Sequence, residues 1–182
     1  MKTLIILAML TFSAPQDGSI VFVSNTRLGK PVIKVTQSEL THSAIVLYKK
    51  DQPYVYEANL PKVKRSTLEK FCKKRSKRPI QFCFARPKIP FTQDELQRMK
   101  LFANNQLGRR YSLKGYTKFY EGKGIHCSQF VTKILIKSDR AYSNNPGRVS
   151  PKNLWLSIEE HFIFSHWLYH GVISSNPPRV EL

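Results

Sequence analysis

Acidic residues are scarce. Only 12 Asp and Glu stand against 30 Lys and Arg in 182 residues, a formal net charge of +18 at pH 7. Such an imbalance points to anionic surroundings (nucleic acid, anionic lipid or cell-wall polymer) without choosing among them. Cysteine is sparse too, and three are too few for a disulfide scaffold. No apolar run approaches the roughly 18–20 residues that span a bilayer. Eight Gly and 11 Pro follow no period, which excludes a fibrous repeat. What is present is 41% hydrophobic and 12% aromatic, enough for a packed core and against intrinsic disorder. The length suits one domain with a real core and is short for two.

The first residues read as a secretory signal. Lys2 precedes the apolar run from Leu4 to Leu10, and Thr11-Phe12-Ser13-Ala14 supplies small residues before Pro15. The competing reading is a first buried strand. On the signal reading, residues 1–14 are removed and residues 15–182 form a single secreted or periplasmic domain. No Cys lies in the leader to carry a lipoprotein anchor. Export would allow Cys72 and Cys83 to pair and leave Cys127 as the odd thiol; two reduced, buried cysteines are the alternative.

Along the chain, strands come first and helices later, which favours an α+β fold. Ser19 to Ser24, Thr41 to Tyr48, Tyr54 to Ala58 and Pro79 to Arg86 are short, β-branched or aromatic runs expected as strands. Residues 49–53 are expected to turn the second strand into the third. Asn25 to Lys34 reads as a loop. Thr92-Gln93-Asp94-Glu95 is a capping box, and Leu96, Met99, Ala103 and Leu107 follow at helical spacing. Cys127 to Lys137 is an apolar helix pattern, and Ser150-Pro151 opens another helix. The stretch from Phe162 to Ile173 is expected as a strand or a packed terminus.

Three residues in this order suit one chemistry. A thiol is a nucleophile only as thiolate, and Cys127 opens a helix, where free N–H groups and the helix dipole lower a thiol's pKa. Those N–H groups can also hold an oxyanion. His42, on a strand, can take the thiol proton. Glu57, on the next strand, can fix the imidazole and stabilise its charge. The sum 42 + 57 centres their pairing at Lys49-Lys50, close to the expected turn but not on it. A bulge or an asymmetric loop would bring them together. His126 is a rival base, yet adjacent helical residues point in different directions, so it is a poor one.

The local strings carry a resemblance. Gly108-Arg109-Arg110-Tyr111-Ser112 followed by His126-Cys127-Ser128-Gln129-Phe130-Val131 resembles the "G-x-x-Y … C-S-x-F-V" stretch of NlpC-type papain-like cysteine hydrolases. Here His42 and Glu57 precede the Cys, which is similar to the circularly permuted, YiiX-like branch. Lecithin:retinol acyltransferases and a group of poxvirus proteins are more distant relatives. Asp17-Gly18-Ser19-Ile20-Val21-Phe22 and Ser150-Pro151-Lys152-Asn153-Leu154 are similar to elements at the two ends of that branch. Ser19 and Asn153 each stand where the branch usually has Asp. The resemblance spans about residues 17–156. It implies a papain-like α+β fold, with a small antiparallel β-sheet or barrel packed against helices. It also implies Cys127 as nucleophile, His42 as base, Glu57 as the orienting residue and Tyr111 near the substrate or oxyanion. Amide or acyl-lipid substrates are expected, with no cofactor.

Between Lys62 and Arg78 lie nine basic residues against Glu69 alone. The plain reading is a solvated connection between strands; the sharper one is a docking surface for wall polymer or lipid headgroups. No aromatic ladder interleaves with it, so specific nucleic-acid recognition is not expected. On that sharper reading alone, the protein would be a non-catalytic, basic polyanion-binding module. His161, His166 and His170 match no zinc signature, and no metal is expected.

Overall fold

The structure is a computed structural model that describes residues 15–24, 33, 38–75, 81–114, 123–140, 143–165, 167–169 and 172–174. Residues 1–14, read above as a signal, most of the expected loop at 25–34, and His166 and His170 lie outside them. Its elements are β1 (Ile20–Ser24), β2 (Leu40–Lys49), β3 (Gln52–Ala58), β4 (Val63–Thr67), α1 (Leu68–Arg75), β5 (Gln81–Pro87), α2 (Gln93–Asn105), α3 (Cys127–Ile136) and α4 (Pro151–Ile158). Three short strands follow: β6 (Phe162–Phe164), β7 (Trp167–Tyr169) and β8 (Val172–Ser174). They form one open antiparallel sheet in the order β4-β3-β2-β1-β5-β7-β8, with β6 also on β5. The fold is therefore α+β. The stretch after residue 162 joins the sheet as strands. Among the described residues, no helix is long and apolar enough to cross a membrane.

Alternation along β1 sends side chains into two cores. Ile20 and Phe22 join Ile45, Leu47, Tyr56 and Cys83 on the face covered by α2, α3 and α4. Val21 and Val23 join Ala44, Val46, Val55, Phe82 and Phe84 beneath Phe71 of α1. Every residue of β1 is buried, as a central strand covered on both faces requires. The capping box of α2 forms as expected, with Thr92 accepting from the Glu95 backbone and Glu95 accepting from the Thr92 backbone. Ser150 caps α4 ahead of Pro151, its side chain accepting from the Asn153 backbone.

Two expectations are corrected, and one of two open alternatives is decided. The basic stretch after Lys62 is not a bare connection: it builds edge strand β4 and then α1. The hairpin between β2 and β3 closes through two residues, Lys50 and Asp51, both with positive φ (48° and 59°), instead of five. Cys72 and Cys83 are both free. They belong to opposite faces of the sheet, Cys72 packing with the α1 cluster and Cys83 with the α3 cluster, so no bond can join them. Burial pushes their thiols up to about 11 and about 12 respectively.

Gly18 sits at φ +85°, a conformation that favours glycine. A Cβ there would also overlap the ring of Phe91, a member of the main core. Gly18→Ala is expected to cost about 1–3 kcal/mol through both effects. A lower urea midpoint at unchanged slope would register it.

Candidate active site

The candidate residues meet at one end of the sheet, where β1 and β3 stop, β2 starts and α3 begins. The β2–β3 register aligns Ile45 with Tyr56, so each residue pair sums to 101. Glu57 is therefore diagonal to His42 on one sheet face, a separation that long side chains bridge. His42 Nε2 donates to Glu57 Oε2 at 2.8 Å, with both residues buried. No bulge in the hairpin is needed. A bulge does occur on the other side of β2: Val23 pairs with His42 but Ser24 pairs with Leu40, leaving Thr41 as the extra residue. Thr41 Oγ1 donates to Val23 O at 3.2 Å and pins the irregularity beside the histidine.

Cys127 is the first residue of α3 and is buried. In an α-helix the first N–H groups lack intrahelical partners. That of Gln129 is taken by the side chain of His126, the N-cap, through Nδ1 at 3.3 Å. Those of Cys127 and Ser128 point out of the helix end beside the sulfur. Because Nδ1 accepts, the His126 proton is on Nε2, which donates to Gly147 O at 2.7 Å. His126 is thus a helix cap with both ring nitrogens engaged, which leaves the base role to His42. Ser43 on β2 donates to Ser128 at 3.3 Å and ties strand to helix at this point.

The electrostatics couple the cluster. Burial alone would raise the Cys127 pKa, but hydrogen bonding and charge from His126 and His42 hold the thiol well below its ordinary range. Burial alone would lower the His42 pKa; hydrogen bonds to Cys127 and Glu57, and the charges of both, raise it above its ordinary value. With Nε2 on Glu57, Nδ1 is the nitrogen left for the sulfur. Burial works against the Glu57 carboxylate as well. His42, then Arg75 and Lys64, outweigh it and hold the group well below the usual carboxylate range. Tyr111 is placed by a backbone bridge to Ile125 and by its N–H donating to Pro61 O. Burial and the Cys127 charge push its phenol up, so the hydroxyl keeps its proton as a donor.

Arg75 belongs to this site although it was not expected there. Its Nη2 lies 2.9 Å from Glu57 Oε2, and its side chain is buried. A signal for it exists in the sequence: Leu68, Phe71, Cys72 and Arg75 recur at i, i+3, i+4 and i+7, one face of a helix. Lys64 of β4 approaches the other carboxylate oxygen at 3.4 Å.

No protein-family model matches this chain, and no curated protein does. Among solved structures, the crystal structure of the metalloprotein YiiX from Escherichia coli O157:H7, a DUF1105 protein, has a TM-score of 0.65 to it. The match covers 83% of this chain and 96% of that one, at 19% sequence identity. Whether a metal would fit here can be judged from the donors. Among the described residues no group of three or more His, Cys, Asp or Glu is arranged to hold one. His42 Nε2 and both nitrogens of His126 are already committed to protein partners. Among the described residues, then, the donors do not assemble a metal site. What the chain shares with YiiX over most of its length is the fold, α+β and papain-like.

Proposed function

We propose that this chain is a cysteine hydrolase that cleaves an amide bond through Cys127, His42 and Glu57. The observation that supports it most is the position of His42, a buried imidazole held 2.8 Å from the Glu57 carboxylate and electrostatically coupled to the Cys127 thiol. In this reading the Cys127 thiolate attacks the carbonyl carbon and the C–N bond breaks. His42 gives its proton to the leaving amine. Neutral His42 then takes a proton from water, which attacks the thioester and frees the acid and the thiolate. The Cys127 N–H and the Tyr111 hydroxyl are the donors proposed for the oxyanion.

Residues 1–14 are proposed as an export signal, which makes cell-wall peptides a reasonable substrate. A second substrate class, acyl lipids, has an observation of its own in favour. Lys62, beside β4, and Lys70, Lys73 and Lys74 of α1 are exposed and carry one sign of charge. Lys64, within β4, reaches Glu57 itself. An anionic headgroup or wall polymer would be drawn to this flank, and that attraction should weaken steeply as salt rises.

Intact-mass analysis after incubation with a mixed panel of wall peptides and acyl lipids tests the proposal. The expected result is a mass gain located on Cys127 and absent from Cys127→Ala, with the added mass naming the acyl half. Hydrolysis undiminished in Cys127→Ala would overturn it. So would tight, salt-sensitive polyanion binding with no thiol adduct, which is how a non-catalytic basic module behaves.

A further inference from the structure

Glu57 has more cationic partners than an orienting carboxylate needs. Oε2 accepts from His42 at 2.8 Å, from Arg75 at 2.9 Å and from Asn59 Nδ2 at 3.4 Å, while Oε1 faces Lys64 at 3.4 Å. Arg75 is the last residue of α1, on the sheet face opposite α2 and α3, and its guanidinium stacks 3.7 Å from the centre of the Phe71 ring. That stack and the carboxylate together fix a planar fork in one orientation. Stability gives no reason to build this. Burying an ion triad costs desolvation that well-packed apolar residues of similar volume would avoid.

We propose that Arg75 is a positioning residue of this site, one that shares a Glu57 oxygen with His42 and whose charge sets how readily His42 gives up its proton. The inference deepens the cysteine-hydrolase reading and rests on it. The groups facing His42 are Glu57 of β3 and Cys127 of α3. Behind Glu57 stand Arg75 of α1 and Lys64 of β4; His126 and Tyr111 flank the sulfur. The two anions favour the imidazolium. Arg75 opposes it in two ways: it takes part of the Oε2 electron density, and it sets a positive charge about 5 Å from the ring at the shared-oxygen geometry. With Arg75 in place, the imidazolium releases its proton at a lower pH than the Cys–His–Glu set alone would give. That suits a group that must donate in one step and accept in the next.

The test reads His42 without a substrate. Iodoacetate is an anion, so the attack of the Cys127 thiolate on its CH2 carbon, which displaces iodide, is assisted by the imidazolium and slows as His42 deprotonates. The descending limb of rate against pH, followed on the Cys127 peptide by mass spectrometry, reports that midpoint. Arg75→Gln keeps a donor toward Oε2 and loses the charge; Arg75→Lys keeps both. The midpoint should rise by about one pH unit in Arg75→Gln and stay near wild type in Arg75→Lys. Circular dichroism confirms that each variant is folded, and if Arg75→Gln is not, Lys64→Met should give a smaller rise of the same sign. An unshifted or lowered midpoint in a folded charge-removing variant overturns the proposal, even if its stability falls. Should His42→Ala keep the wild-type descending limb, the cysteine-hydrolase reading falls, and this inference with it.

Discussion

Glu57→Ala is expected to destabilise the protein by about 3–5 kcal/mol, more than any other single change at the site. Truncation removes the acceptor shared by His42 and Arg75 and strands a buried guanidinium. Losing one partner of a buried pair costs far more than exchanging the whole group for apolar residues, because the remaining charge stays desolvated. Glu57→Gln should cost less, since an amide oxygen still accepts from one of the two donors. The penalty also carries a pH signature. A carboxylate whose pKa is depressed on folding stabilises the native state above its unfolded pKa, and that contribution is lost as pH falls through the folded value. Glu57 is depressed. The gap between wild type and Glu57→Ala should thus be full at pH 6 to 7 and shrink once the pH drops below about 4. Urea midpoints measured at several pH values check both the size and the trend.

The second large effect falls on reactivity. Cys127 is pulled in two directions: burial favours the neutral thiol, and the neighbouring histidines favour the thiolate. His126 also favours the thiolate, but its one ring proton is donated to Gly147 and its Nδ1 caps α3, so it has no proton to share with the sulfur as His42 has. His42→Ala should therefore let desolvation win and push the thiol up toward the behaviour of Cys72 and Cys83, where burial dominates and raises the values to about 11 and about 12. Near pH 6 the thiolate fraction, and with it the alkylation rate, should fall by at least about 100-fold.

Much of this site could be read from the chain because strong local signals mark it. Continuous apolar runs fix β1 and β2, a capping box fixes the start of α2, and the apolar pattern from Cys127 fixes α3 and puts the sulfur at a helix N-terminus. The His42–Glu57 register was less legible. Its turn uses Lys50 and Asp51 at positive φ with no Asn-Gly signal, so nothing local announces a two-residue loop. The basic stretch misled because charge density hid periodicity. Phe71 and Arg75 are buried, with Leu68 and Cys72 half-buried on the same helix face, inside a helix whose other residues are charged and exposed. The separation of Cys72 from Cys83 follows from that face, since α1 carries Cys72 to the far side of the sheet.

The most direct measurement is the pH dependence of Cys127 alkylation by iodoacetamide, a small neutral reagent, in wild type and in His42→Ala. The ascending limb in wild type should lie well below the ordinary thiol range near 8.5, and in His42→Ala it should move above it. Superimposable profiles would mean that the imidazole does not govern the sulfur, and would contradict the coupled Cys–His–Glu site.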